Sequence, residues 1–125
     1  DHAGHLGNYA GFLLGRGNEE GNKFLEKSLD LSRKDITLKT QLLECLFYQY
    51  AHSKDENLQK ESLKEIKALL KEGIRSPGWD LSDNVKKGIE DGHPQPEFLE
   101  KLSKVISEEV EIKELDNFKV WQELD

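Results

Sequence analysis

The chain has 125 residues, the size of one domain, and a chain of this length buries roughly two thirds of its unfolded surface. Its 25 acidic residues outnumber its 18 basic ones, and no basic cluster stands apart from acidic neighbours, which argues against nucleic acid or an anionic membrane as a partner. A single cysteine, Cys45, excludes an intrachain disulfide and favours a reducing, cytoplasmic location, and no apolar run reaches the ~18 residues of a membrane span.

The sequence contains no methionine. Because translation starts with methionine, we expect a processed chain or a piece of a longer protein, forming one helical domain over residues 1–125. Apolar and polar residues do not alternate over any useful length, so no strand is predicted.

The first predicted unit is a helical hairpin over residues 2–32. Apolar and small residues recur at helical spacing in two stripes, which the glycines near residue 17 separate. The stripes contain Leu6, Tyr9, Ala10, Leu13 and Leu14, followed by Gly21, Phe24, Leu25, Ser28 and Leu29.

The second predicted unit is a hairpin over residues 35–75. Asp35 is a suitable N-cap for its first helix, and the polar residues 54–57 form the turn. The helical stripes are Leu38, Leu42, Cys45, Leu46 and Ala51, then Leu63, Ile66, Leu69, Leu70 and Ile74.

The third predicted unit is a hairpin over residues 79–108. Its helices are separated by the break at residues 92–94, and Pro96 suits the first turn of the second helix. A short amphipathic stretch at residues 111–124 is expected to form a capping helix. The three turns recur every 37 to 39 residues, which is typical of helical hairpins stacked into a solenoid.

The first unit carries a recognisable pattern. It runs Asn8-Tyr9-Ala10-Gly11-Phe12-Leu13, then Gly17-Asn18-Glu19-Glu20-Gly21, then Phe24-Leu25-Glu26-Lys27-Ser28-Leu29. This pattern resembles a tetratricopeptide repeat, best over residues 6–31. The second helix of such a repeat carries a small, an aromatic and another small residue at positions that are occupied here by Gly21, Leu25 and Ser28. The resemblance implies a concave surface built by the first helix of each pair, on which a partner's peptide or helix is held. It implies no catalytic residues.

Aromatic side chains are concentrated on the first helices of units one and two. Five of them on two helices cannot all face one core, so we predict that some line the concave surface as rigid anchors, beside polar companions. The alternative is that all five are core or incidental surface residues. The predicted partner-binding residues are Asn8, Tyr9, Phe12, Lys39, Phe47, Tyr48 and Tyr50.

Two residue pairs have side chains that are typical of metal sites or of nucleophilic catalysis. His2 and His5 are spaced to chelate a metal, but no convincing third ligand accompanies them, so solvated side chains are expected. Cys45 and His52 share a helix face, yet two turns separate them by about 10 Å, too far for a nucleophile and its base. A core-facing cysteine is therefore predicted.

Gly7, Gly11 and Gly15 form a small-residue stripe along the first helix, which we call the glycine stripe. Each glycine costs about 1 kcal/mol of helix stability relative to alanine, and close packing would offset that cost. The stripe either packs against a neighbouring helix of the same chain or forms a groove that the backbone of a partner could enter.

These patterns together predict an all-α protein, an α-solenoid of about three antiparallel hairpins with a C-terminal capping helix. The predicted function is protein recognition, with a partner protein or another domain of the same chain as the ligand, without metal, cofactor or catalysis. The alternative is a structural spacer or oligomerisation segment of a larger multidomain protein. The sequence is also compatible with a homodimer.

Overall fold

The computed structural model describes residues 2–124, and every regular element within them is helical, as predicted. The α-helices are α1 His2–Gly15, α2 Gly21–Arg33, α3 Lys39–His52, α4 Glu56–Lys71, α5 Ser82–Glu90, α6 Pro96–Ile106 and α7 Lys119–Gln122. Two 3-10 segments, Ile36–Leu38 and Ile112–Asn117, precede α3 and α7.

Aspartate side chains begin two of these elements. Asp55 accepts hydrogen bonds from the backbone N–H groups of Asn57 and Leu58, at 2.9 and 3.3 Å, and so caps α4. Asp35 accepts from the backbone N–H of Thr37 at 2.9 Å and from its hydroxyl at 2.7 Å, and these bonds lower the pKa of Asp35. Asp35 thus caps the 3-10 segment instead of α3, which begins four residues later than the predicted cap.

The C-terminal segment is a 3-10 turn followed by the short α7, and not one capping helix over residues 111–124. It packs beside α6 through Phe118 and Trp121, whose rings lie 5.4 and 6.0 Å from that of Phe98. Lys67 of α4 donates to the backbone carbonyl of Trp121 at 2.9 Å and lies 4.8 Å from its ring. The segment is therefore attached to α4 and α6.

Helix α3 lies at the centre of the fold. It contacts α1, α2, α4 and α5, so it has neighbours on every side. Its buried residues are accordingly almost continuous along the sequence, and apolar residues appear all round the helix. The buried residues of α3 are Leu43, Glu44, Cys45, Leu46, Phe47, Tyr48, Tyr50 and Ala51.

Helix α1 contacts α5 as well as α2 and α3. One link between the third hairpin and the central helix is the hydrogen bond between His52 Nε2 and Asn84 Oδ1, at 2.8 Å. In an extended solenoid each repeat contacts only its neighbours. The first and third hairpins of this chain contact each other, so α1, α3 and α5 form a mutually packed set of three helices.

The glycine stripe packs against helices of the same chain, the first of the two predicted arrangements. A Cβ at Gly7 would lie 3.0 Å from Cys45 Sγ, and a Cβ at Gly11 would overlap the ring of Tyr48. A Cβ at Gly15 would lie 3.3 Å from Asn84 Oδ1 of α5. Side chains of α3 and α5 thus pack directly against the stripe.

We expect Gly11→Ala to destabilise the protein by about 2 kcal/mol, because the cost of overpacking against Tyr48 exceeds the gain of about 1 kcal/mol in helix propensity. Urea unfolding measures the difference. The matched control is Asn8→Ala, on the exposed face of the same helix, which should be neutral or slightly stabilising. Equal stability of the two variants would show that the close contact is not costly.

Candidate functional site

Three of the predicted partner-binding residues are in the core. Phe47, Tyr48 and Tyr50 are 0%, 3% and 3% exposed. The Tyr50 ring packs edge-on against His93, with the centroids 4.8 Å apart. The prediction that these rings line an exposed concave surface is wrong. It assumed that α3 keeps one open face, whereas four other helices cover it.

Two other predicted residues share a small pocket. Asn8 and Phe12 lie on one side of α1 and line a cavity of about 280 Å³, together with Trp79 and the edge of Tyr48. Phe12 is 57% exposed, and the Arg16 guanidinium lies 5.0 Å from its ring centroid. This pocket brings together three of the seven predicted residues.

The remaining two predicted residues lie elsewhere. Tyr9 is exposed and packs edge-on against Phe24 of α2, with the ring centroids 4.9 Å apart. The Lys39 ammonium forms an ion pair with Glu72 at 2.6 Å. Neither residue lines the pocket beside Phe12, so the seven residues do not form one surface.

A larger opening lies between α5 and α6, on the outer side of the third hairpin. It is a groove of about 940 Å³, which we call the α5–α6 groove. Helix α5 and the loop before it supply its apolar wall, and α6 supplies a wall rich in serine and charged side chains. The apolar wall consists of Trp79, Leu81, Val85 and Ile89.

The helical spacing of α5 explains the apolar wall. Leu81, Val85 and Ile89 follow one another at intervals of four and so lie in one row along the helix. The adjacent row of α5 faces α3, since Asn84 bonds to α3 and Gly88 lies close to its backbone. Leu81 and Val85 are 3% and 6% exposed and belong to the core, whereas Ile89 at the end of the row is 39% exposed and faces the groove.

Backbone hydrogen bonds fix the loop of residues 76–79, which lies at one end of the groove. The N–H of Ser76 donates to the carbonyl of Ile106 at 2.8 Å, and the N–H of Gly78 donates to that of Ser107 at 3.3 Å. The N–H of Trp79 donates in turn to the carbonyl of Ser76 at 3.1 Å. These bonds tie the loop to the end of α6 and position Trp79 beside the groove.

A buried carboxyl supports the same loop from the core. Glu44 of α3 is 7% exposed, and the Ser76 hydroxyl donates to its Oε2 at 2.5 Å. Burial raises the pKa of Glu44 to about 7, because an ionised carboxylate loses its hydration there, and the Ser76 bond offsets this only in part. The carboxyl is enclosed by the core and lines neither the groove nor the pocket beside Phe12.

Cys45 and His52 have separate partners, as the spacing predicted. Cys45 is buried beside the Ser28 hydroxyl, with 3.2 Å between Sγ and Oγ, and burial raises the pKa of the thiol to about 11. His52 bonds to Asn84, and burial lowers its pKa. A protonated, enclosed thiol without a base is a poor nucleophile.

Residues 2–124 contain neither a cluster of metal ligands nor a membrane-spanning helix. No group of three His, Cys, Asp or Glu side chains in this range could hold a metal ion, so His2 and His5 acquire no third ligand from it. No helix of the same range is long and apolar enough to cross a membrane.

Comparison with known proteins returned no relative: no protein-family profile, curated protein or solved structure matches the chain significantly. The likeness to tetratricopeptide repeats therefore rests on the pattern in residues 6–31 alone.

Proposed function

We propose that the protein is an interaction module and that the α5–α6 groove holds a helix or peptide of a partner. The observation that carries this proposal is the row of apolar side chains that ends in the partly exposed Ile89, beside Trp79, in a groove of about 940 Å³. Binding sites are typically concave and apolar with a few polar groups at the edge, and helices are recognised in such grooves.

The position of the groove supports this proposal. In a stack of helical hairpins, the outer face of the last hairpin is the face on which a further helix packs. The C-terminal segment packs against Phe98 and Lys67 instead, and none of the residues lining the groove lies beyond Glu109. Residues 112–124 thus do not line the groove, and Ile89 remains 39% exposed in it, above the buried Leu81 and Val85. The proposed site lies on this outer face, and not on the concave face that the tetratricopeptide resemblance implies.

A second candidate is an oligomerisation or spacer segment of a larger protein. It is favoured by the two exposed aromatic side chains of α1, Tyr9 and Phe12, which are 49% and 57% exposed. Aromatic groups at this exposure are common contact residues in protein interfaces. This candidate uses α1 and leaves the α5–α6 groove without a role, so variants of the two surfaces separate the candidates.

The proposal is tested by affinity capture with the wild type, Ile89→Glu and Leu58→Glu. Ile89 and Leu58 are both 39% exposed, but only Ile89 lines the groove, so the two substitutions cost similar stability and differ in their effect on the site. We expect proteins held by the wild type and by Leu58→Glu to be lost from Ile89→Glu, at least about tenfold, because a charge enters an apolar contact.

Circular dichroism and urea unfolding establish that both variants remain folded. Capture of the same proteins by all three forms would contradict the proposal. Loss of those proteins from Phe12→Ala, with Ile89→Glu unaffected, would favour the second candidate.

A further inference from the structure

We infer that the occupant of the α5–α6 groove is an amphipathic α-helix of a separate polypeptide, with basic side chains on either side of its apolar face. This inference rests on the proposed function and specifies the partner's chemistry. It follows from the charges at the edge of the groove, from the difference between its two walls, and from the net charge of the chain.

Acidic side chains predominate at the edge of the groove. The charged lining residues are Asp80, Glu90, Glu100 and Glu109, against Lys86 and Lys104. Lys104 lies 3.8 Å from Glu100 and already neutralises it in part. The remaining edge is therefore acidic, and the chain as a whole has a net charge of −7. Basic side chains complement such an edge, and opposite charges across an interface favour both encounter and specificity.

The two walls of the groove require an occupant with two faces. Trp79 and Ile89 are the more exposed residues of the apolar wall, and Glu100 and Ser103 are the more exposed residues of the α6 wall. A helix with one apolar and one polar side satisfies both walls at once. An extended peptide would bring unpaired backbone groups against α5 and α6, whose own backbone groups are already bonded within the helices.

The length of the groove sets the length of the partner's apolar stripe, with the buried Leu81 and Val85 as its floor and Ile89 as its exposed end. The row from Leu81 to Ile89 extends over about 12 Å along α5, at about 1.5 Å per residue. This corresponds to two to three turns of a bound helix, with apolar residues at i, i+3 or i+4, and i+7.

A second copy of the chain fits the groove poorly. Its net charge is also −7, and its α5–α6 edge is equally acidic, so two such edges brought together would repel. A basic helix from another protein meets no such repulsion. Sedimentation of the wild type and of Ile89→Glu at the concentrations used for binding tests this directly.

The experiment uses two fluorescent synthetic helices of about 15 residues. Both carry leucine at i, i+3 and i+7 on an alanine and glutamine background, and they differ only in lysine or glutamate beside the stripe. We expect the lysine peptide to bind the wild type about tenfold more tightly at about 50 mM salt, and the difference to shrink at about 300 mM salt as charges are screened.

Two protein variants assign the effect to the groove. Ile89→Glu should weaken the lysine peptide at least about tenfold, and Leu58→Glu should bind it as the wild type does. The double variant Glu90→Lys with Glu109→Lys alters two exposed edge residues and should lose or invert the preference for lysine.

Equal binding of both peptides, with loss in Ile89→Glu, would overturn the inferred charge while leaving the proposed function standing. Binding of neither peptide by the wild type would overturn the inferred helix, and the capture experiment with Ile89→Glu would then decide the proposed function separately. A wild-type dimer that dissociates in Ile89→Glu would overturn the separate partner and identify a second copy as the occupant.

Discussion

Glu44→Gln is expected to stabilise the protein by about 3 kcal/mol at about pH 8, and by less than about 1 kcal/mol at about pH 5. Glu44 is buried on the central helix, and its pKa is raised to about 7 from an ordinary 4.5. A glutamine amide oxygen can still accept the hydrogen bond from Ser76, and the amide has no proton to lose.

The direction of the pH dependence follows from the raised pKa. Between about pH 4.5 and about pH 7 the folded protein keeps the Glu44 proton that the unfolded chain releases. The wild type therefore loses stability as the pH rises through this window, and the loss is complete above the folded pKa. In the variant this part of the pH dependence is absent.

Urea unfolding of both proteins at several pH values between about 5 and 8 measures the effect, because titrations common to the two proteins cancel in the difference. Glu61→Gln, at an exposed position on α4, is the control and should follow the wild type across the range. Parallel curves for the wild type and Glu44→Gln would mean that Glu44 is ionised in the folded protein at little cost.

Phe98→Ala is expected to destabilise the protein by about 3–5 kcal/mol, the usual range for removal of a buried aromatic ring. Phe98 is 1% exposed on α6. Its ring lies 6.1 Å from that of Tyr50 on α3, and it also contacts Phe118 and Trp121 of the C-terminal segment. The substitution opens a cavity where three parts of the fold meet.

The loss should be greatest in the C-terminal segment, which depends on Phe98 for its aromatic contacts. Hydrogen exchange of residues 112–124 should accelerate more than that of α3, and urea unfolding gives the overall loss. Phe12→Ala is the control, since the 57% exposed ring should cost less than about 0.5 kcal/mol. Equal destabilisation by the two substitutions would show that the Phe98 contacts add little.

The helical class and the approximate positions of the helices could be predicted from the sequence because they depend on near neighbours in the chain. The spacing of apolar residues predicted the helices of all three hairpins, and the position of Pro96 in the first turn of α6 is confirmed. The glycine stripe also predicted close helix packing, since small side chains let helices approach. Asp35 was placed one turn too early for α3 because a cap fits a 3-10 turn as well as an α-helix.

Burial of individual side chains was decided by the tertiary structure. Periodicity shows which residues share a face of a helix, and it does not show how many other helices cover that helix. For this reason Phe47, Tyr48 and Tyr50 were expected in part at the surface, and the contacts of α3 with four helices bury them all.

The existence of the α5–α6 groove also depends on the tertiary structure. The sequence by itself determined that Leu81, Val85 and Ile89 form an apolar row on one helix. The core covers Leu81 and Val85, whereas Ile89 stays exposed because residues 112–124 pack against Phe98 and do not line the groove. Contacts between segments far apart in the chain set that path, and no local pattern in α5 encodes them.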